Sequence, residues 1–201
     1  LAVQPRSLFT RIDLPQEAGI QDVFRHLAID QARTGAIASE VRDAYRQGRK
    51  VLVLTERTEH LDAILAALDG QVPAPFVLHG RMSKKQRAAM ITELDGLPPG
   101  APRILLATGK LVGEGFDHSA LDTLVLAMPI SWKGTLQQYA GRLHREHATK
   151  TDVRIIDFVD TGHPALLRMW DKRQRGYRAM GYRVVEHPQE AADLFTGLSS
   201  E

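Results

Sequence analysis

The residues best suited to chemistry lie in Thr135–Glu146, TLQQYAGRLHRE. Leu136, Tyr139, Ala140 and Leu143 recur at helical spacing and account for a buried face. The opposite face then presents Gln138, Arg142 and Arg145 together, with Gly141 leaving space beside them. Two guanidiniums and an amide side by side suit a phosphate, because arginine's planar fork donates bidentately and keeps its charge. The same spacing also fits a plain solvated face, with Thr135 and Gln138 as a capping box and Arg142 paired with Glu146.

A second group follows the apolar run Ile104–Thr108, in the stretch ATGKLVGEGFD. Gly109, Gly113 and Gly115 let backbone N–H groups approach a ligand, and a carboxylate beyond them, Asp117, can accept from a sugar hydroxyl; an ordinary glycine-rich turn reads the same way. Gly109-Lys110 is not a phosphate-cradling P-loop, because Ile104 and Leu111 stand where glycine and a hydroxyl residue are needed. Thr55 and Arg57, then His79, Gly80 and Arg81, then Thr108 follow three other apolar runs. Hydroxyls and cations lined up at strand ends would make a track for a nucleic-acid backbone, although each alone is also a common turn residue. Arg168, Lys172, Arg173, Arg175 and Arg178 form a basic run that reads first as a solvated helix. No metal or nucleophile motif emerges: His144-Arg-Glu-His147 has the wrong spacing for a zinc protease, and there is no Gly-x-Ser-x-Gly.

The elements that must position these residues are short. Val51–Thr55, Pro75–His79, Ile104–Thr108, Thr123–Met128 and Val153–Val159 are Val-, Ile- and Leu-rich without clean alternation, as strands buried on both faces are. Helical patterns separate them, among them Leu61, Ile64, Leu65 and Leu68, and a segment opened by the capping box Ser83-Lys-Lys-Gln86. The expected fold is α/β: a three-layer, open, mainly parallel sheet flanked by helices, with ligand loops after the strands' carboxyl ends. Residues 1–18, with Pro5 and Pro15, read as a linker, 19–48 as a helical lead-in, 49–162 as the α/β domain, and 163–201 as a C-terminal helix and tail. Within that tail Pro164 suits a helix first turn, and Tyr182–Glu186 is a short strand.

With 201 residues, 43% hydrophobic and 25% charged, the chain can bury one core but not two catalytic domains. Having no cysteine, it cannot hold a disulfide framework, a thiolate metal site or a cysteine nucleophile. Its apolar runs fall far below the ~20 residues of a membrane helix, and a cytoplasmic protein is expected. A net charge of +2 neither requires nor excludes nucleic acid. The chain opens on Leu1, and a piece of something longer is expected.

From about Lys50 to Asp160 the chain resembles the C-terminal, second RecA-like domain of superfamily-two helicases. VLVLTERTEHLDAIL resembles the family's motif IV region, LHGRMSKKQR the segment after it, and ILLATGKLVGEGFD motif V. QQYAGRLHR matches motif VI at Gln138, Gly141, Arg142 and Arg145. The Glu114-Gly115-Phe116-Asp117 form looks more like the restriction-enzyme and DEAH-like, DNA-acting branch than like the DEAD-box RNA helicases. Many relatives carry proline shortly after the motif V aspartate, whereas His118, Ser119 and Ala120 follow here.

The resemblance implies a P-loop NTPase fold without its own P-loop, and ATP with Mg2+ held mainly by a first RecA-like domain elsewhere in the same parent protein. It implies that Arg142 and Arg145 are arginine fingers, that Gln138 positions the γ-phosphate or attacking water, and that Glu114, Gly115 and Asp117 lie near the nucleotide. Thr55, Arg57, His79, Gly80 and Thr108 would hold the nucleic-acid backbone, with DNA expected and RNA the alternative. Since neither a phosphate cradle nor an Asp-Glu dipeptide occurs, the chain alone is expected neither to hydrolyse ATP nor to unwind a duplex. Two alternatives remain: a catalytically inert RecA-like scaffold binding nucleic acid or protein, and an unrelated nucleotide-binding α/β domain.

Overall fold

A computed structural model describes residues 1–15, 17–109, 116–130 and 136–185. The elements run β1 (Ala2–Leu8), α1 (Ile20–Ile29), α2 (Gln31–Arg46), β2 (Lys50–Thr55), α3 (Thr58–Leu68), β3 (Phe76–Leu78) and α4 (Lys84–Asp95). They continue as β4 (Arg103–Thr108), β5 (Thr123–Leu126), α5 (Gln137–Leu143), β6 (Arg154–Asp160), α6 (Pro164–Ala179) and β7 (Arg183–Val184). The strands form one seven-stranded sheet in the order β3-β4-β2-β5-β6-β1-β7, and every pairing is parallel.

Parallel strands need helical crossovers, so helices cover both faces and the strands lose their polar side. On one face Val51, Val53, Ile104, Leu106 and Phe158 pack against Ile37 and Val41 of α2 and Leu61 and Ile64 of α3. On the other, Leu52, Leu54, Leu105 and Leu126 meet Leu94 of α4, Tyr139 and Leu143 of α5, and Tyr177 of α6. These are the expected three layers. Local signals agree: Ser83 and Gln86 complete their capping box at 3.1 and 2.8 Å, and Pro164 opens α6. Helix α1 lies across the carboxyl edge, where Val23 and Leu27 pack on Met128, just beyond β5, and on Leu166.

The N-terminal stretch corrects the expected linker. Ala2–Leu8 is an inner strand of the sheet, paired with β6 over its length and with β7 at Ala2 and Val3. Pro5 argued against a strand because proline cannot donate to a ladder. Here the Ala2 N–H donates toward β6 (3.0 Å to Val153) while the Val3 carbonyl accepts from β7 (2.8 Å from Val185). Odd positions therefore face β7, which ends before Pro5 is reached, so no ladder bond is lost. The basic run needs the same kind of correction: Arg173 is 1% exposed and forks onto Asp157 at 2.8 and 2.9 Å, with the Tyr177 hydroxyl donating to the same carboxylate at 2.8 Å.

A second buried fork ties α2 to the sheet. Arg33 donates to both oxygens of Asp160, at 2.7 and 3.0 Å, and to the Ala127 carbonyl at 2.7 Å. Both side chains are 0% exposed. Removing one partner strands the other's charge, so Asp160→Asn is expected to cost roughly 3–5 kcal/mol, whereas the apolar pair Arg33→Met with Asp160→Leu costs far less. Denaturant midpoints of the three proteins check this; equal losses for single and paired replacement would contradict it.

Candidate functional site

The sequence-nominated residues fall into two groups joined by β4. At the carboxyl edge lie the ends of β2, β3 and β4, with Thr55 and Thr108 side by side in register. Thr55 differs from expectation: it is 2% exposed, and its hydroxyl lies 2.9 Å from Nδ1 of His60 in the first turn of α3. Its side chain is thus an interior anchor rather than a surface contact, and Thr108 is also buried, at 9%. Arg57 reaches outward, donating to Glu59 at 3.0 Å and to the Gln21 carbonyl of α1 at 3.1 Å. His79 and Gly80 stand on the loop after β3, where His79 Nδ1 accepts the Arg81 N–H at 3.2 Å.

Sequence reasoning missed Glu56. A Cβ on Gly109 would meet its carboxylate at 2.5 Å, so Gly109 makes room for Glu56. Burial raises the Glu56 pKa above the usual carboxylate value. Glu56, Arg57, Phe24 of α1 and Met128 line a cleft of about 810 Å³ along this edge.

The second group gathers around Phe116 and Asp117. Helix α5 buries Leu136, Tyr139, Ala140 and Leu143 as its spacing required, and Tyr139 donates its hydroxyl to the Gly109 carbonyl. Arg142 donates to the Phe116 carbonyl, and Arg145 forms an ion pair with Asp117. The helix is shorter than Thr135–Glu146: His144 is its C-cap, and Arg145 lies past its end, brought back by the turn in which its N–H donates to the Arg142 carbonyl at 3.2 Å. Gln138 is exposed on α5. Glu114 and Gly115, together with Gly113 and Thr135, lie outside the described residues.

His118 explains how this segment holds its place without the proline common after the aspartate. Arginine only donates, so the 3.0 Å contact from Arg103 Nη1 makes His118 Nε2 an acceptor. Nδ1 then carries the proton, which it gives to Asp95 at 3.0 Å. Burial first, and then the Arg103 charge, lower the His118 pKa against the opposing Asp95 bond. Arg103 begins β4 and Thr108 ends it, so His118 stands at the amino end of that strand, while Tyr139 of α5 reaches Gly109 just past its carboxyl end.

A model of the helicase conserved C-terminal domain matches residues 34–147, more than half of the chain. A probable helicase, D10 of Escherichia phage T5, is 27% identical over 148 residues, covering 73% of this chain and 32% of that protein. The chain thus spans about a third of that relative's length. Among solved structures, T4 UvsW superposes with a TM-score of 0.68 at 19% identity, over 92% of this chain and 41% of that one. S. cerevisiae Dbp5, solved bound to RNA and ADP BeF3, superposes with a TM-score of 0.58 at 13% identity, over 85% of this chain and 43% of that one.

His60 provides a stability test. It is 0% exposed with Nε2 lacking a partner among the described residues, and burial, helped by the Arg33 charge, holds its pKa down to about 4 against a normal 6.5. The unfolded chain therefore takes up the proton first. Stability is complete above pH 6.5 and falls as pH drops toward 4, by up to about 3 kcal/mol from this group. His60→Gln should flatten that loss relative to wild type in denaturant titrations across this window, a comparison that subtracts the depressed His118 and His144; parallel curves would contradict it. The matched span places the chain in the helicase conserved C-terminal domain family, with the RecA-like fold of superfamily-two helicase C-terminal domains.

Proposed function

We propose that the chain is the C-terminal motor domain of an ATP-dependent DNA helicase or translocase, of the DNA-acting branch that the Glu114-Gly115-Phe116-Asp117 form resembles. It supplies arginine fingers to a nucleotide held by a first RecA-like domain. The observation that carries this reading is the convergence of Arg142 and Arg145 on Phe116 and Asp117, beside a glycine that packing does not explain. A Cβ at Gly141 would meet only Met180, at 4.0 Å, among the described residues. A glycine inside a helix costs roughly 0.5–1 kcal/mol relative to alanine, and the space it leaves beside the arginines suits a ligand.

Two cations at that opening fit a triphosphate. On this reading the nucleotide and its Mg2+ are held mainly by the first RecA-like domain. ATP, when bound, supplies the phosphoryl group that is transferred to water. Arg142 and Arg145 stabilise charge on its oxygens as it develops, a contribution of about 10³–10⁵ in rate for fingers of this kind, and Gln138 orients the γ-phosphate or the water. Until then the arginines rest on the Phe116 carbonyl and the Asp117 carboxylate. Arg57, His79 and Gly80 hold the strand's backbone at the carboxyl edge, with Thr55 and Thr108 shaping the floor beneath it.

No helix among the described residues is long and apolar enough to cross a membrane, and we place the protein in the cytoplasm on this reading. Without the first domain, the chain is expected to be inert toward ATP. In a protein carrying both domains, Arg142→Ala should reduce DNA-stimulated ATP turnover by at least a hundredfold while leaving ATP affinity within a fewfold. Turnover unchanged by the substitution would instead favour a scaffold.

A further inference from the structure

The burial of Arg173 changes the meaning of the basic run around it. With that residue turned inward onto Asp157, the remaining cations of α6 share one outer face: Arg168, Lys172 and Arg175 at i, i+4 and i+7, with Arg178 one turn further, all exposed. Among the described residues none of the four has an ion-pair partner; Arg178 donates only to the Gln174 amide, at 3.1 Å. Together with a single carboxylate, Asp171, they line a shallow groove of about 360 Å³. This face carries four positive charges against one negative, a larger surplus than the +2 of the whole chain, so the cations are concentrated here rather than spread for solubility.

We infer that the outer face of α6 is a second nucleic-acid contact, binding the phosphodiester backbone of a duplex. The stripe from Arg168 to Arg178 extends roughly 15 Å along the helix. Over that length one strand of a duplex presents about four phosphates, at ~3.4 Å of axis each. A single strand is the poorer fit, because single-strand grooves combine cations with aromatic platforms for the bases. The two aromatics of α6, Trp170 and Tyr177, both face the core, at 9% and 0% exposure. The helix begins at the carboxyl edge, and its Met169 lines the same cleft as Arg57, so a duplex on α6 adjoins the proposed track. The inference rests on the motor reading only in taking the polyanion to be nucleic acid.

Fluorescence anisotropy of the full 201-residue chain with a labelled 20-base-pair DNA duplex and with a 20-nucleotide single strand, each titrated with salt, tests it. Arg168→Ala, Lys172→Ala and Arg175→Ala combined should weaken duplex binding at least tenfold and flatten the salt slope by about three, while single-strand binding changes less than threefold. The substituted side chains are exposed, and an unchanged circular dichroism melt verifies the fold. Duplex binding with wild-type affinity and slope in the triple variant overturns the inference, as does an equal loss for both probes or a wild-type chain that binds no duplex. The ATPase test with Arg142→Ala uses none of these residues, so the motor reading can fail or stand independently.

Discussion

Every strand of this sheet points the same way, and the placement of the chemistry depends on that constraint. Parallel pairing forces each connection to cross the full length of the sheet, so the loops after β2, β3 and β4 emerge together at the carboxyl edge. The chain after β4 must then return toward the amino edge before β5 can start. Beyond it Phe116 and Asp117 lie against α5, where Arg142 and Arg145 meet them. Gly109, beside the proposed nucleic-acid track, and Phe116 and Asp117, at the proposed fingers, are thus both held by α5.

On the motor reading, this layout would give a physical form to coupling between nucleotide and strand. The return is pinned at both ends, by Tyr139 on the Gly109 carbonyl and by Arg103 and Asp95 on His118. On the motor reading, Arg145 exchanges the Asp117 carboxylate for a phosphate oxygen, one charge-assisted bond for another of similar strength. Such an exchange releases Asp117 and the segment attached to it without a large loss of interaction energy. The buried Arg33–Asp160 and Arg173–Asp157 forks hold the surrounding sheet and helices in place while it occurs.

Much of this was legible in the sequence, for identifiable reasons. Strands buried on both faces leave unbroken apolar runs, and β2, β4, β5 and β6 were readable from them. Ser83 with Gln86, and Pro164, signalled helix starts through backbone chemistry that is local. What escaped depended on partners distant in the chain. Pro5 masked β1, because only the sheet order reveals that its nitrogen faces no neighbour. The inward turn of Arg173 requires Asp157, and Thr55 reads as a surface hydroxyl because nothing local to β2 shows that His60 takes it inside. Glu56 was invisible for the same reason: its relation to Gly109 joins two strand ends, not two neighbours in sequence. At the arginine site the sequence supplied the residues and their shared face, while Arg145 lies beyond a helix that ends sooner than its periodicity implied.

The central claim is that Arg142 acts on the nucleotide only as charge develops in the transition state. Its most direct measurement is the affinity of the two-domain protein, with and without Arg142→Ala, for ADP with aluminium fluoride as a transition-state mimic and for ATP as the ground state. The account predicts at least a hundredfold loss for the mimic and less than a threefold loss for ATP. Equal losses for both, or no loss for either, would contradict it.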